Sequence, residues 1–137
     1  MADQMNFELV SPERLLLSTE VDSVVIPGAE GDFGVLPGHS RLISTIRPGV
    51  ITVFQGGRAA DRIFVEGGFA EVTPVGCTVL AEHATPVADI SREQAAQAVQ
   101  DAKEDIEDSK DEASKAAAAK GLEVAEARMR AIEAPAY

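Results

Sequence analysis

"VLAEHATPVADISREQAAQAV", Val79 to Val99, contains the change of pattern on which the fold depends. Up to Pro86 apolar and polar residues alternate at about period two, as on a strand with one buried face. From Asp89 onward apolar residues recur three and four apart, the spacing of one face of a helix. Proline then does not recur until Pro135. A β part followed by an α part is the reading this stretch imposes, and two units are expected, residues 1–87 and 88–137.

Working back from Val79, short apolar runs are separated by Gly, Pro and Asn/Asp/Ser signals, the habit of a compact all-β domain. Candidate strands are MNFELV (5–10), ERLLLS (13–18), EVDSVVIP (20–27), FGVL (33–36), RLISTI (41–46), GVITVFQ (49–55), RIFVE (62–66), FAEVT (69–73) and TVLAEH (78–83). Gln55–Arg58, "QGGR", signals a hairpin, because Gly-Gly accepts the positive φ values of a type I′ turn. So many short strands overfill one open sheet, and a sandwich or flattened barrel closes the edges. Parallel βαβ crossovers have no room here, which excludes a doubly wound nucleotide fold.

Working forward, "SREQ" (91–94) fits a capping box with Ser91 as N-cap, and "SKDE" (109–112) repeats the signal after a short break near Asp108. The first helix has a seam of Ala95, Val99, Ala102 and Ile106, the second one of Ala118, Leu122, Ala125, Met129 and Ile132. Two antiparallel helices in a hairpin satisfy both seams. The seam is thin, since only Val99, Ile106, Leu122, Met129 and Ile132 exceed alanine in size. Such a hairpin buries too little to offset the entropy of ordering it unless it docks on the β part or on a partner. It is expected to be the mobile part. Its acidic run "DAKEDIEDSKDE" (101–112) reads as a solvated face at the hairpin tip or as a contact for a basic partner.

Composition narrows the function. The formal charge of −11 argues against nucleic acid or an anionic lipid surface as the main partner. Residues 1–88 carry 11 acids against 5 bases, all arginine, and residues 89–137 carry 12 acids against 7 bases, with every lysine after residue 100. "MADQMNFEL" has neither the basic nor the apolar region of a secretory leader, and no apolar run approaches a membrane span. Cys77 is the only cysteine, so no internal disulfide forms, and it reads as a small hydrophobe in a reducing compartment.

The glycines of "GAEGDFGVLPGHSRL" (28–42) do not spell G-x-G-x-x-G, and no lysine follows them as in a Walker A loop. Glu30 and Asp32 would repel a phosphate there. His39 and His83 with one cysteine make no metal cluster, and His83 reads as structural. No nucleophile–base pair is recognisable around Gly38-His39-Ser40, so neither a catalytic residue nor a metal or other cofactor is expected. A free-standing sandwich that binds a ligand under a helical lid is a competing reading. It sits poorly with a chain that has no Trp, one Tyr and five Phe to line a pocket. A hydrolase built on His39 is a third reading and lacks a nucleophile.

"EGDFGVLPGHSRL" (30–42), "IRPG" (46–49), "GGFAEV" (67–72), "TVLAEHA" (78–84) and the closing "RMRAIE" (128–133) resemble the epsilon subunit family of bacterial F-type ATP synthases. The resemblance runs over essentially the whole chain. It implies an α+β fold, a ten-stranded antiparallel β-sandwich followed by a two-helix antiparallel hairpin. It also implies a non-catalytic rotor subunit of the central stalk, peripheral on the cytoplasmic face of the bacterial inner membrane and touching that membrane only through the c ring. Glu30, Gly31, Asp32 and His39 would meet the ring of c subunits. For His39, a hydrogen bond pinning the turn after Pro37 is an equal alternative. Ser11, Pro37, Gly38, Arg41 and Leu42 would meet the gamma subunit. The family's helices can extend among the alpha and beta subunits and inhibit ATP hydrolysis. Some members bind ATP at an Ile/Leu-Asp-x-x-Arg-Ala motif, matched here by "ISREQA" (90–95). Ser91 replaces its Asp and Gln94 its Arg, while Asp89 and Arg92 lie out of register on other helix faces. Weak or no ATP binding is therefore expected.

Overall fold

The computed structural model describes residues 3–133. Ten strands form two five-stranded layers. One holds β3 (Ser23–Gly28), β4 (Gly31–Val35), β6 (Gly49–Gln55), β7 (Arg58–Val65) and β10 (Ala84–Pro86). The other holds β1 (Met5–Val10), β2 (Leu15–Val21), β5 (Leu42–Ile46), β8 (Gly68–Thr73) and β9 (Gly76–Ala81). The layers join where Gly28 pairs with Ile46. Inward residues of both make one core around Phe7, Leu9, Val24, Ile26, Ile51, Val53, Val72 and Val79.

The α+β architecture and the ten-strand sandwich stand as the sequence implies, with four local differences. "EVDSVVIP" is not one strand. It breaks at Asp22, whose carboxylate accepts the Gly56 N–H at 2.7 Å, and the chain crosses there from one layer to the other. The three-residue β10, paired with Ile63–Val65, is too short to leave a periodic signal, and Pro86 can end an edge strand because it donates no ladder bond. The sheet is not wholly antiparallel, since β1 runs parallel to β9, with Phe7 opposite Cys77 and Leu9 opposite Val79. Those two strands are joined through most of the sandwich, the long connection that parallel neighbours need. Gly56 and Gly57 at the β6–β7 hairpin have φ of 63° and 77°, as a type I′ turn requires. Gly68 is bound more tightly still, because a Cβ there would stand 1.9 Å from the Leu80 carbonyl oxygen.

The helices are α1 (Arg92–Asp108) and α2 (Glu112–Glu133). Ser91 is the N-cap of α1, its hydroxyl accepting the Gln94 N–H at 3.2 Å. The fourth difference is at "SKDE". Asp111, not Ser109, caps α2 by accepting the Ser114 N–H at 2.7 Å. Ser109 instead closes α1, its hydroxyl donating to the Asp105 carbonyl at 2.6 Å. A carboxylate at a helix N-terminus gains from the dipole as well as the bond, which favours the aspartate.

All nine seam residues are buried or half-buried. A second stripe on α2, Val124, Ala127, Arg128 and Ala131, packs the hairpin onto the sandwich. Phe64 is fully buried beneath Ala127 and Ala131, with Val50, Val87 and Ile90 around it. The Arg128 guanidinium lies 5.1 Å from the Phe64 ring centre and donates to Glu66 at 2.8 Å. The hairpin thus rests on the outer face of β6 and β7.

Candidate functional site

Strand directions give the sandwich two ends. The turns 11–14, 29–30, 47–48, 66–67 and 82–83 lie at one end, and loop 36–41 with the turns near 56–57 and 74–75 at the other. Glu30 and Gly31 sit in the β3–β4 turn at the first end, both exposed, with Asp32 beside them. Asp32 is not a free charge, since it accepts from Arg47 at 2.6 Å, and Arg47 also donates to the Gly28 carbonyl. This pairing ties the β3–β4 turn to the β5–β6 turn.

His39 is elsewhere. Strand β4 separates it from Glu30, and at about 3.3 Å per residue that strand alone spans about 13 Å. Its Nδ1 stands 2.6 Å from the Ser40 carbonyl, and its N–H donates to the Leu36 carbonyl at 3.1 Å. The bond that closes the turn is thus the backbone one, while the ring reaches only the carbonyl of the next residue. Gly38, at φ 83°, donates to the Pro74 carbonyl at 2.9 Å and holds the loop against the β8–β9 turn. Pro37, Gly38, Arg41 and Leu42 share this end with His39. Ser11 does not. It lies in the β1–β2 turn at the first end, where its N–H donates to the Arg14 carbonyl at 2.9 Å. Both sets of contact residues read from the sequence are thus divided between the two ends.

One surface was missed. Cross-strand pairing aligns Phe69 with Leu80, Leu80 with Val10, and Val10 with Leu15. These side chains make an apolar row across the outer face of β8, β9, β1 and β2, and Phe69, Leu80 and Leu15 are 56%, 53% and 54% exposed. Ile43, at 71%, stands on the same face. A signal existed in the sequence. Phe69 is in phase with Glu71 and Thr73, the polar side of its strand. The hairpin covers the outer face of the other layer, and nothing among the described residues covers this one.

The family model for the ATP synthase delta/epsilon chain β-sandwich domain matches residues 4–87. The ATP synthase epsilon chain of Rhodospirillum rubrum is 50% identical over 131 residues, 96% of this chain and 98% of that one. That of Parvibaculum lavamentivorans is 61% identical over 90 residues, 66% of this chain and 68% of that one. This chain belongs to the ATP synthase delta/epsilon family.

Among solved structures, a chain from the Euglena gracilis mitochondrial ATP synthase, solved as the OSCP/F1/c-ring in rotational state 1, matches with TM-score 0.80. It is 29% identical, over 90% of this chain and 78% of that one. A chain of the Tetrahymena thermophila mitochondrial ATP synthase central stalk and c-ring matches with TM-score 0.68 at 15% identity, covering 95% and 97%, a likeness of fold alone. As an epsilon-family chain the molecule is a non-catalytic subunit of ATP synthase, peripheral in a membrane complex. No helix among the described residues is long and apolar enough to cross a membrane.

The run 90–95, matched only in part to the nucleotide motif expected above, borders a cavity of about 200 Å³. Thr85, Asp89, Ile90, Ser91, Gln94, Ala95 and Arg128 form its walls. Asp89, expected to point away, lines it with Ser91 and Gln94. Arg92 does not, and lies 3.6 Å from Glu133. The cation that does line the cavity, Arg128, is already paired with Glu66. Cys77 is buried, and desolvation pushes its thiol pKa up to about 12, so it stays a protonated hydrophobe. His83 occupies the β9–β10 turn at φ 68°.

Proposed function

We propose that this chain is a rotor subunit of the central stalk. It docks on gamma through the outer face of β5, β8, β9, β1 and β2, and stands on the c ring through the β3–β4 turn. In this reading residues 1–87 form the coupling unit and 88–137 a regulatory one that reaches the alpha and beta subunits and inhibits ATP hydrolysis. The complex faces the cytoplasm from the bacterial inner membrane. The observation that carries the reading is the uncovered row of Phe69, Leu80, Val10 and Leu15, continued by Ile43.

Magnitudes favour that face as the main anchor. Completing the burial of a half-exposed Phe or Leu is worth about 1 kcal/mol or more each. A rim ion pair is worth only about 0.2–1 kcal/mol. With Asp32 held by Arg47, Glu30 is the carboxylate presented to a basic loop of the ring, and Gly31 permits close backbone approach. Pro37, Gly38, Arg41, Leu42 and His39 then form the rim of the gamma contact at the far end, and Ser11 its rim at the near end.

The test is purification of the complex from detergent-solubilised membranes carrying Phe69→Asp with Leu80→Asp. Both side chains are over half exposed, so the isolated chain keeps its β circular dichroism while gamma and the catalytic subunits are lost. Recovery of gamma in the native ratio refutes the docking face. Truncation after Asp89 tests the regulatory half, and an unchanged rate of ATP hydrolysis by the assembled complex refutes inhibition. ATP binds the full chain more weakly than micromolar, because the motif lacks its Asp and Arg and Glu66 neutralises Arg128. A micromolar calorimetric isotherm overturns that.

A further inference from the structure

A cavity of about 210 Å³ lies between the C-terminal half of α2 and the turns at the first end of the sandwich. Arg47, Arg62 and Arg130 line it against one carboxylate, Asp32. In a chain with 12 basic and 23 acidic residues, three bases facing one acid reverse the prevailing sign. Ala127, Arg130 and Ala131 lie three and four apart on one face of α2. The two alanines let the helix approach closely, and the arginine reaches the cavity beside them.

The three guanidiniums are held differently. Arg47 is fixed by the Gly28 carbonyl and Asp32, and Arg62 donates to the Ala131 carbonyl at 3.5 Å. Arg130 makes no hydrogen bond or ion pair among the described residues. Each guanidinium carries five N–H donors in a planar fork that suits an oxyanion. Two features oppose an anion, the Asp32 carboxylate and the negative end of the α2 dipole near Ala131. A monovalent anion gains little against them, whereas a di- or trivalent phosphate gains in proportion to its charge.

We propose that this cavity binds a phosphate group, inorganic phosphate or pyrophosphate, held by Arg130 from the hairpin and by Arg47 and Arg62 from the sandwich. A ligand gripped from both sides favours the docked hairpin by mass action. The site is separate from the cavity at Ser91 and Gln94, and it requires no partner subunit, so it stands or falls apart from the stalk assignment.

The full chain is titrated with sodium pyrophosphate, and separately with phosphate, at ionic strength matched with chloride. Calorimetry and the amide shifts of Gly49, Thr52 and Arg130 are followed. Saturable binding is expected, and α2 amides gain hydrogen-exchange protection. Arg130→Gln weakens binding about tenfold, the usual effect of losing a charged hydrogen bond. Arg58→Gln removes the same charge from an exposed turn at the far end of the sandwich and leaves binding within about twofold. An ATP arm distinguishes the source of the phosphate. Equal affinity at the same amides makes it a nucleotide's tail, and binding of pyrophosphate alone makes it a free anion. Absence of saturable binding at millimolar pyrophosphate overturns the proposal. Equal weakening by Arg130→Gln and Arg58→Gln also overturns it, as a diffuse charge effect.

Discussion

The sandwich and the hairpin bury their apolar residues by different means. The sandwich core joins Phe7, Leu9, Val24, Ile26, Ile51 and Val53 with other large side chains from both layers, most of them without solvent contact. In the hairpin the buried residues are all alanines, Ala95, Ala102, Ala125, Ala127 and Ala131. Its larger apolar side chains are only half-buried. What holds it down is Phe64, a residue of the sandwich, with Arg128 bridging to Glu66. One unit is closed on itself and the other depends on a borrowed surface, so damage to each should read out separately.

The sharpest way to break the comparison is a matched pair of large-to-small changes. Phe7→Ala, in the two-layer core, is expected to cost about 3–5 kcal/mol and to lower the cooperative β unfolding transition in denaturant. Phe64→Ala removes as many atoms, but the loss falls mainly on the docked helices. Its expected signature is faster hydrogen exchange through α1 and α2, with most of the sandwich transition retained. If both variants shift one common transition equally, the two units fold as one and the contrast fails.

How much of this was legible follows from the same contrast. Alternation marks strands because each has an inside and an outside, so "FAEVT" and "GVITVFQ" declared themselves. The parallel pairing of β1 with β9 and the Asp32–Arg47 bond are agreements between distant segments, and no local pattern encodes them. The docking stripe Val124, Ala127, Arg128 and Ala131 was hidden because alanine is small enough to serve either face of a helix. Phe69 was the missed opportunity, an aromatic in the polar phase of its strand. The contact residues were the least legible. A run that is continuous in sequence, from Glu30 to Leu42, traverses a whole strand and therefore serves both ends of the molecule.

A smaller effect of opposite sign sharpens the comparison. Gly121 lies exposed within α2, and a Cβ there would meet nothing within 4 Å. Gly121→Ala is expected to gain about 0.8–1 kcal/mol of helix propensity. That reduces local opening about fivefold. The gain should appear as slower exchange in α2 and leave the sandwich transition where it was. If the hairpin must open to inhibit hydrolysis, the same variant also weakens inhibition in the assembled complex, whereas a purely structural hairpin leaves it unchanged.

The smallest effect is read with pH. The Asp111 carboxylate lies below its usual 3.8 because the Ser114 N–H, and then the Ser114 hydroxyl, hydrogen-bond its charged form. A group whose folded pKa is depressed contributes stability that is complete above the unfolded value and is lost as pH falls through the folded one. The start of α2 should therefore loosen on acidification below about pH 3.8, ahead of the well-packed sandwich. Asp111 is fully exposed, so the change is modest and best followed by the amide of Ser114 rather than by global unfolding. Asp111→Asn separates the two parts of the argument. Asparagine still accepts the Ser114 N–H and caps the helix, but it does not titrate. The variant should keep the turn near neutral pH and flatten the acid response at Ser114. An undiminished acid transition at that amide would assign the effect to another carboxylate of the hairpin tip.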